Sequence, residues 1–199
     1  MLRKALITIA ALLPSSNALA VGLDLKISSE IAEAILLTQN ATFGYGGADI
    51  GFGLLINEND DFMLTGAIMV SGSGTGDVRA LHLGVGGKAY AGKLDFQSNN
   101  TGNTSQEDPS GGAIAIGGNV RYVFPAKMPF AILVEGFWAP SVLSFSDFDK
   151  LYEYRADVEL EVTPSARAYL GYRKMQVQLD TGYDYDVDDT VHIGVRFEF

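Results

Sequence analysis

The chain has no cysteine, so no disulfide can hold it, and a domain of this size must then rely on a large core or a closed hydrogen-bonded barrel. After the first twenty residues no apolar run approaches the length of a transmembrane helix, so any entry into a bilayer must be made by strands. Basic residues are scarce, 14 Lys and Arg against 24 Asp and Glu, and the formal charge of -10 leaves no basic patch for nucleic acid. Only two histidines, His82 and His192, are present, which limits acid–base and metal chemistry. What is abundant is glycine, at 23, together with 11 Phe and 9 Tyr.

The carboxyl-terminal stretch Asp189 to Phe199 organises these residues. Val191, Ile193, Val195, Phe197 and Phe199 alternate with His192, Gly194, Arg196 and Glu198, and successive side chains of a strand point to opposite faces. A polar residue, a glycine two positions on, and aromatics three and five positions after it is the pattern of the closing strand of a bacterial outer-membrane barrel. His192, Gly194, Phe197 and Phe199 fill it. That likeness implies outer-membrane location and the barrel-assembly machinery as a partner. At the other end, Arg3 and Lys4 precede the apolar Ala5 to Leu13, Pro14 breaks the run, and Ala18-Leu19-Ala20 supplies small residues for cleavage. Residues 1–20 therefore read as a secretory signal peptide cut after Ala20, leaving one domain over 21–199.

Between these ends the chain alternates apolar and polar residues with period two. Val21 to Ile27 opens it as a first strand, and Ser29 to Gly46 reads either as a short capped helix or as a strand over Ile35 to Phe43, with the strand favoured. Asp49 to Asn57, Phe62 to Val70, Arg79 to Leu94, Ile114 to Phe124, Phe130 to Trp138, Tyr152 to Val162, Ala166 to Leu179 and the terminal stretch follow as strands, with a drift in alternation near Lys174 that suggests a bulge. Counted back from the carboxyl end, the connections alternate long and short: Asp180 to Asp189, Thr163 to Ser165, Ser141 to Lys150, Pro125 to Pro129, Phe96 to Gly112, Ser71 to Asp77. Outer-membrane barrels have long outer loops and short periplasmic turns. The expectation is an all-β, transmembrane, antiparallel up-and-down barrel with both termini periplasmic. It has ten strands if Val21 to Gly46 supplies two, and eight otherwise.

In such a barrel the apolar rows, among them Ile116, Ile132, Val134, Val158, Leu160 and Ile193, face lipid. Tyr122, Trp138, Tyr152 and Tyr154 fit the interfacial girdles. The charged rows point inward: Lys88, Arg121, Glu135, Glu153, Arg155, Asp157, Glu159, Arg173, His192 and Arg196, with charges of both signs building a salt-bridged polar core.

These residues resemble the YfaZ family of Gram-negative outer-membrane proteins. The resemblance lies in Phe130-Ala-Ile-Leu-Val-Glu-Gly-Phe-Trp-Ala-Pro140 with Ser141-Val-Leu-Ser144, in Leu170-Gly-Tyr-Arg173, in the glycine-rich last strand and, in the first half, in Val85-Gly-Gly-Lys88. It implies architecture and location and carries no activity across, so no catalytic residue is transferred.

Candidate chemistry is thin. His192 near the Asp184, Asp186, Asp188, Asp189 segment would allow a rim protease dyad, but its strand pattern places it inside. A lipid hydrolase would need Ser beside His, and no Ser is close in sequence to either His. Asp184 to Asp189 imitates the start of a calcium loop but lacks the glycine and glutamate such a loop needs, so no metal site and no cofactor are expected. The expected function is a structural or interaction role, or a narrow pore, in contact with outer-membrane lipid and lipopolysaccharide. The alternatives are an outer-membrane enzyme and a soluble periplasmic β-barrel carrier.

Overall fold

Period-two alternation becomes strand after strand. The protein is seen in a computed structural model that describes residues 21–40, 48–58, 61–74, 80–94, 109–125 and 130–199. The signal segment with Ala18 and Ala20 lies outside them, as does most of the expected loop from Phe96, along with parts of the connections 41–47, 58–61, 74–80 and 125–129. The strands are β1 Val21–Ser28, β2 Ile31–Asn40, β3 Ala48–Asn57, β4 Phe62–Ser73, β5 Leu81–Lys93, β6 Ser110–Phe124, β7 Phe130–Ala139, a short β8 Ser144–Ser146, β9 Phe148–Thr163, β10 Ala166–Leu179 and β11 Asp184–Glu198.

Ten of these strands close a ring of antiparallel neighbours, and β8 is an addition lying on β6. Closure is made by β1 on β11, from Gly22 opposite Glu198 to Ser28 opposite His192. A closed ring leaves no strand edge unpaired, which is what a bilayer demands of a sheet. The ends of β1 and β11 thus lie together at one end of the barrel, called here the terminal end.

Parity decides the faces. Ile193 is 63% exposed while His192 beside it is 1% exposed, and the same contrast separates Val158 from Asp157 and Glu159. Ile116, Ile132, Val134 and Leu160 are also exposed. The outer wall is therefore aliphatic and the inside carries the charge, the inverse of a soluble barrel. Water would penalise so large an apolar surface, whereas hydrocarbon does not. Tyr122 stands on that wall towards the terminal end, and Trp138, Tyr152 and Tyr154 towards the other, at exposures that fit interfacial girdles.

The favoured strand between Ser29 and Gly46 is present as β2, and three other expectations need correction. Ser28 Oγ accepts the backbone N–H groups of Glu30 (3.2 Å) and Ile31 (2.9 Å), so serine bonds of the kind that cap a helix here close a tight turn into β2, whose described part ends at Asn40. The acidic segment Asp180 to Asp189 is not a loop, since β11 begins at Asp184 and the connection is 180–183, turned by Gly182 at φ 80°. The irregularity near Lys174 lies in the partner strand: Met175 faces Asp188 and Gln176 faces Asp186, leaving Val187 as the extra residue of a bulge. Finally, the long–short alternation of connections is incomplete, because two connections at the far end are also short, the two-residue Ser29–Glu30 and the four-residue 180–183. On β9 to β11 the far-end sequence is polar because the strands run on beyond the apolar belt, not because pairing stops. There Lys174 bonds Asp189 (2.7 Å), Gln176 bonds Asp186 (3.0 Å) and Lys150 bonds Gln178 (3.0 Å).

Candidate functional site in the barrel interior

The inward residues sort into three layers. Around the middle, Arg173 on β10 is 1% exposed and holds Glu33 (2.6 Å) and Asp188, with Glu153 at 3.6 Å. Lys26 bonds the same Glu33 (2.7 Å), Lys88 bonds Glu153 (2.7 Å), Tyr90 donates its hydroxyl to Glu153, and Thr190 donates to Asp188 (2.6 Å). Six strands are tied by this one network. Asp188 reaches it because the bulge turns both Val187 and Asp188 inward. Charges sealed from water are tolerable only when paired in this way, so the network specifies the packing more than it adds net stability.

Towards the terminal end, Asp24 accepts from Arg196 (2.6 and 3.0 Å) and from the Tyr169 hydroxyl, Arg121 bonds Glu159 (2.6 Å), and His192 Nε2 lies 3.0 Å from Asp157. Asp24, Arg121, Glu159 and Arg196 line a recess of about 330 Å³ with a largely apolar wall on β2 to β4 and a charged wall on β6, β7, β9 and β11. Gly194 is required by its neighbour: a Cβ there would lie 2.2 Å from the Tyr169 ring, which packs over the glycine to reach Asp24.

Towards the far end the interior is mainly apolar, apart from buried Asp61, which accepts from Asn57 and from the Tyr185 hydroxyl (2.8 Å each). Leu55, Met63, Leu94, Leu151, Met175 and Val177 are at most 1% exposed and pack in one cluster with Phe148 and Val187. This corrects the expectation of an interior that is a salt-bridged polar core throughout: the far third of the lumen is filled mainly by apolar side chains. The pattern rule misses it because an apolar residue on the inner face simply reads as a weaker alternation.

All ten charged positions singled out in the sequence point inward. Lys88, Glu153, Arg155, Asp157, Glu159, Arg173 and His192 are buried, and Arg121, Glu135 and Arg196 are half-buried. The network brings together Lys88, Glu153 and Arg173, and separately Asp157 with His192 and Arg155. Of the terminal motif, His192 and Gly194 face the interior, while Phe197 and Phe199 stack on each other with Phe199 exposed.

Sequence reasoning missed several members. Asp24 and Lys26 sat on the polar face of the first strand, the signal that would have found them. Glu33 was hidden by the helix–strand ambiguity, Asp188 by the bulge, and Tyr90 and Tyr169 by being aromatic.

The chemical candidates fall apart spatially. His192 is enclosed against Asp157 with the Tyr169 ring edge-on at 5.9 Å, and does not meet the outward Asp184, Asp186 and Asp189. His82 Nδ1 has Ser73 Oγ at 3.0 Å, a pairing invisible in sequence, but among the described residues no carboxylate contacts His82 to complete a relay. Because the bulge aims Asp188 inward, the aspartates of β11 do not converge, and among the described residues no cluster of three or more His, Asp or Glu is placed to hold a metal.

A closed antiparallel barrel with ion pairs inside and an aliphatic wall outside is a transmembrane β-barrel. Within that class the chain belongs to the family described as YfaZ precursor, whose profile matches residues 15–199. Among solved structures it is similar to the outer membrane channel DcaP of Acinetobacter baumannii, at 11% identity and a TM-score of 0.39, over 88% of this chain and 54% of that one. This chain thus spans about half the length of that channel. No curated protein sequence matches it.

Proposed function

We propose that the chain is a closed, non-conducting barrel of the Gram-negative outer membrane with a structural or interaction role. In this reading it is exported on the leader ending at Ala20, and both ends of the barrel chain lie in the periplasm. Its outer wall meets membrane lipid and lipopolysaccharide, and the terminal strand with His192, Gly194, Phe197 and Phe199 engages the barrel-assembly machinery. The inside-out distribution of apolar side chains supports membrane residence, and the family's description as a precursor is in keeping with a removed leader.

The observation that carries the closed state is the stack of two barriers across the lumen. An ion entering from the terminal end meets the paired charges around Arg173 and then the apolar layer of Leu55, Met63, Leu151 and Met175. Moving a charge through such a layer without partners is prohibitively costly. No catalytic role is part of the proposal, since His192 is walled in and, among the described residues, no carboxylate bonds the Ser73–His82 pair.

The test is current across a planar lipid bilayer holding the purified barrel. The expected record shows no steps above background in 1 M salt. Steady, voltage-independent steps from the unaltered chain would overturn the closed reading.

A further inference from the structure

Around the recess at the terminal end almost every charge is spoken for. Arg121 is held by Glu159, Arg196 by Asp24, Arg167 by Glu198 and Lys88 by Glu153, while Asp49 is exposed at the mouth. Two charges differ. Arg155 is only 6% exposed, yet its guanidinium makes no hydrogen bond to the protein: Nε lies 3.0 Å from Asp157 in an ion pair but is without a hydrogen-bond partner. Glu135, directly across from it on β7, is its strongest charge partner but makes no hydrogen bond to it. A buried guanidinium with idle donors is costly, and a ligand that supplies acceptors recovers that cost.

We infer that this recess binds a free α-amino acid with an apolar side chain, its carboxylate on Arg155, its ammonium on Glu135 and its side chain against Ile35, Leu37 and Met69. The two charges alone explain why neither a simple anion nor a simple cation fits. A carboxylate drawn to Arg155 is opposed by Glu135, and an alkylammonium drawn to Glu135 is opposed by Arg155; only a ligand carrying both signs a short distance apart satisfies both. The apolar wall opposite adds the third contact. A volume of about 330 Å³ is at the small end of ligand pockets and accommodates an amino acid. The recess ends at Phe137 and Lys88 below the sealed layers, so it retains a ligand and does not pass it on.

The inference needs only the recess and goes beyond the membrane reading, so its test is indifferent to whether the barrel conducts. The full barrel in detergent micelles is titrated calorimetrically with L-leucine, and with hexanoate and hexylamine, each of which lacks one of the two charges. The expected result is saturable one-to-one binding of L-leucine, with both single-charge probes weaker by about tenfold or more. Glu135→Gln should weaken L-leucine by a similar factor and leave hexanoate unchanged or tighter. Gly51→Leu should abolish binding without touching an ion pair, because a Cβ at Gly51 meets Ile35 and Leu37 methyl groups at 3.4 Å and Ala67 Cβ at 4.0 Å, all ordinary contacts, and the longer side chain then occupies the recess. Absence of saturable heat with L-leucine overturns the inference, and means that Arg155 and Glu135 serve only each other. Hexanoate binding as tightly as L-leucine, or unchanged affinity in Gly51→Leu, overturns it as well.

Discussion

Arg173→Met is expected to destabilise the folded barrel by about 3–5 kcal/mol, the range for breaking a buried ion pair from one side. The guanidinium is 1% exposed and is shared by Glu33, Asp188 and, at a longer distance, Glu153. Without it, Glu33 keeps only Lys26, Glu153 keeps Lys88 and Tyr90, and Asp188 keeps only the Thr190 hydroxyl. The loss is read as a shift in the urea midpoint at which the heat-modifiable folded band disappears. Adding Glu33→Gln and Asp188→Asn to the methionine should recover much of it, since the cost lies in the stranded carboxylates rather than in the missing attraction. The exposed pair Arg167–Glu198 is the control, and Arg167→Met should cost about 1 kcal/mol or less. Equal effects from the two substitutions would mean that the interior is as wet as the rim.

The second large effect is expected on the opposite face. Val158 lies centrally in the outward row of β9 and is 54% exposed, so in a bilayer its side chain is solvated by hydrocarbon. Val158→Arg should cost roughly 2–4 kcal/mol, the penalty for arginine near the membrane midplane, whereas Val162→Arg, next to the turn at the terminal end, should cost only about 0–1 kcal/mol. The measurement is the same urea midpoint, taken in phospholipid vesicles. The contrast is informative because an exposed valine of a water-soluble barrel accepts arginine within about 0.5 kcal/mol at either depth.

The parts of this architecture legible in sequence are those governed by parity. Along β9, Tyr152 to Val162 alternate against Glu153 to Glu161 without a break, and there the outer and inner faces follow from the pleat alone. Strand ends were less legible because polarity stood in for the end of pairing. Asp184 to Asp189 looked like a solvated loop, but Lys174, Gln176 and Tyr172 supply partners from the neighbouring strand, so the ladder continues. The bulge at Val187 was displaced in the sequence reading from β11 to β10, because an extra residue shifts the register of a pair and either strand alone shows only a blurred period. The interior was legible as a list of charges and not as a set of partners. Arg173 and Glu33 are distant in sequence and meet only once the ring closes through β1 and β11. The apolar layer at the far end was hidden for a related reason: Leu55 and Met63 are inward residues whose neighbours are also apolar, and period two cannot tell a filled lumen from a poorly patterned strand.

The absence of native cysteine allows the membrane assignment to be probed one side chain at a time. A nitroxide on a single cysteine replacing Val158, with the barrel in phospholipid vesicles, should collide freely with dissolved oxygen and be shielded from a water-soluble nickel chelate, the opposite of the same label at Val142, which is 81% exposed in the turn Ser141–Leu143 at the far end. Nickel access at Val158 equal to that at Val142 would contradict the claim that hydrocarbon wets the aliphatic wall.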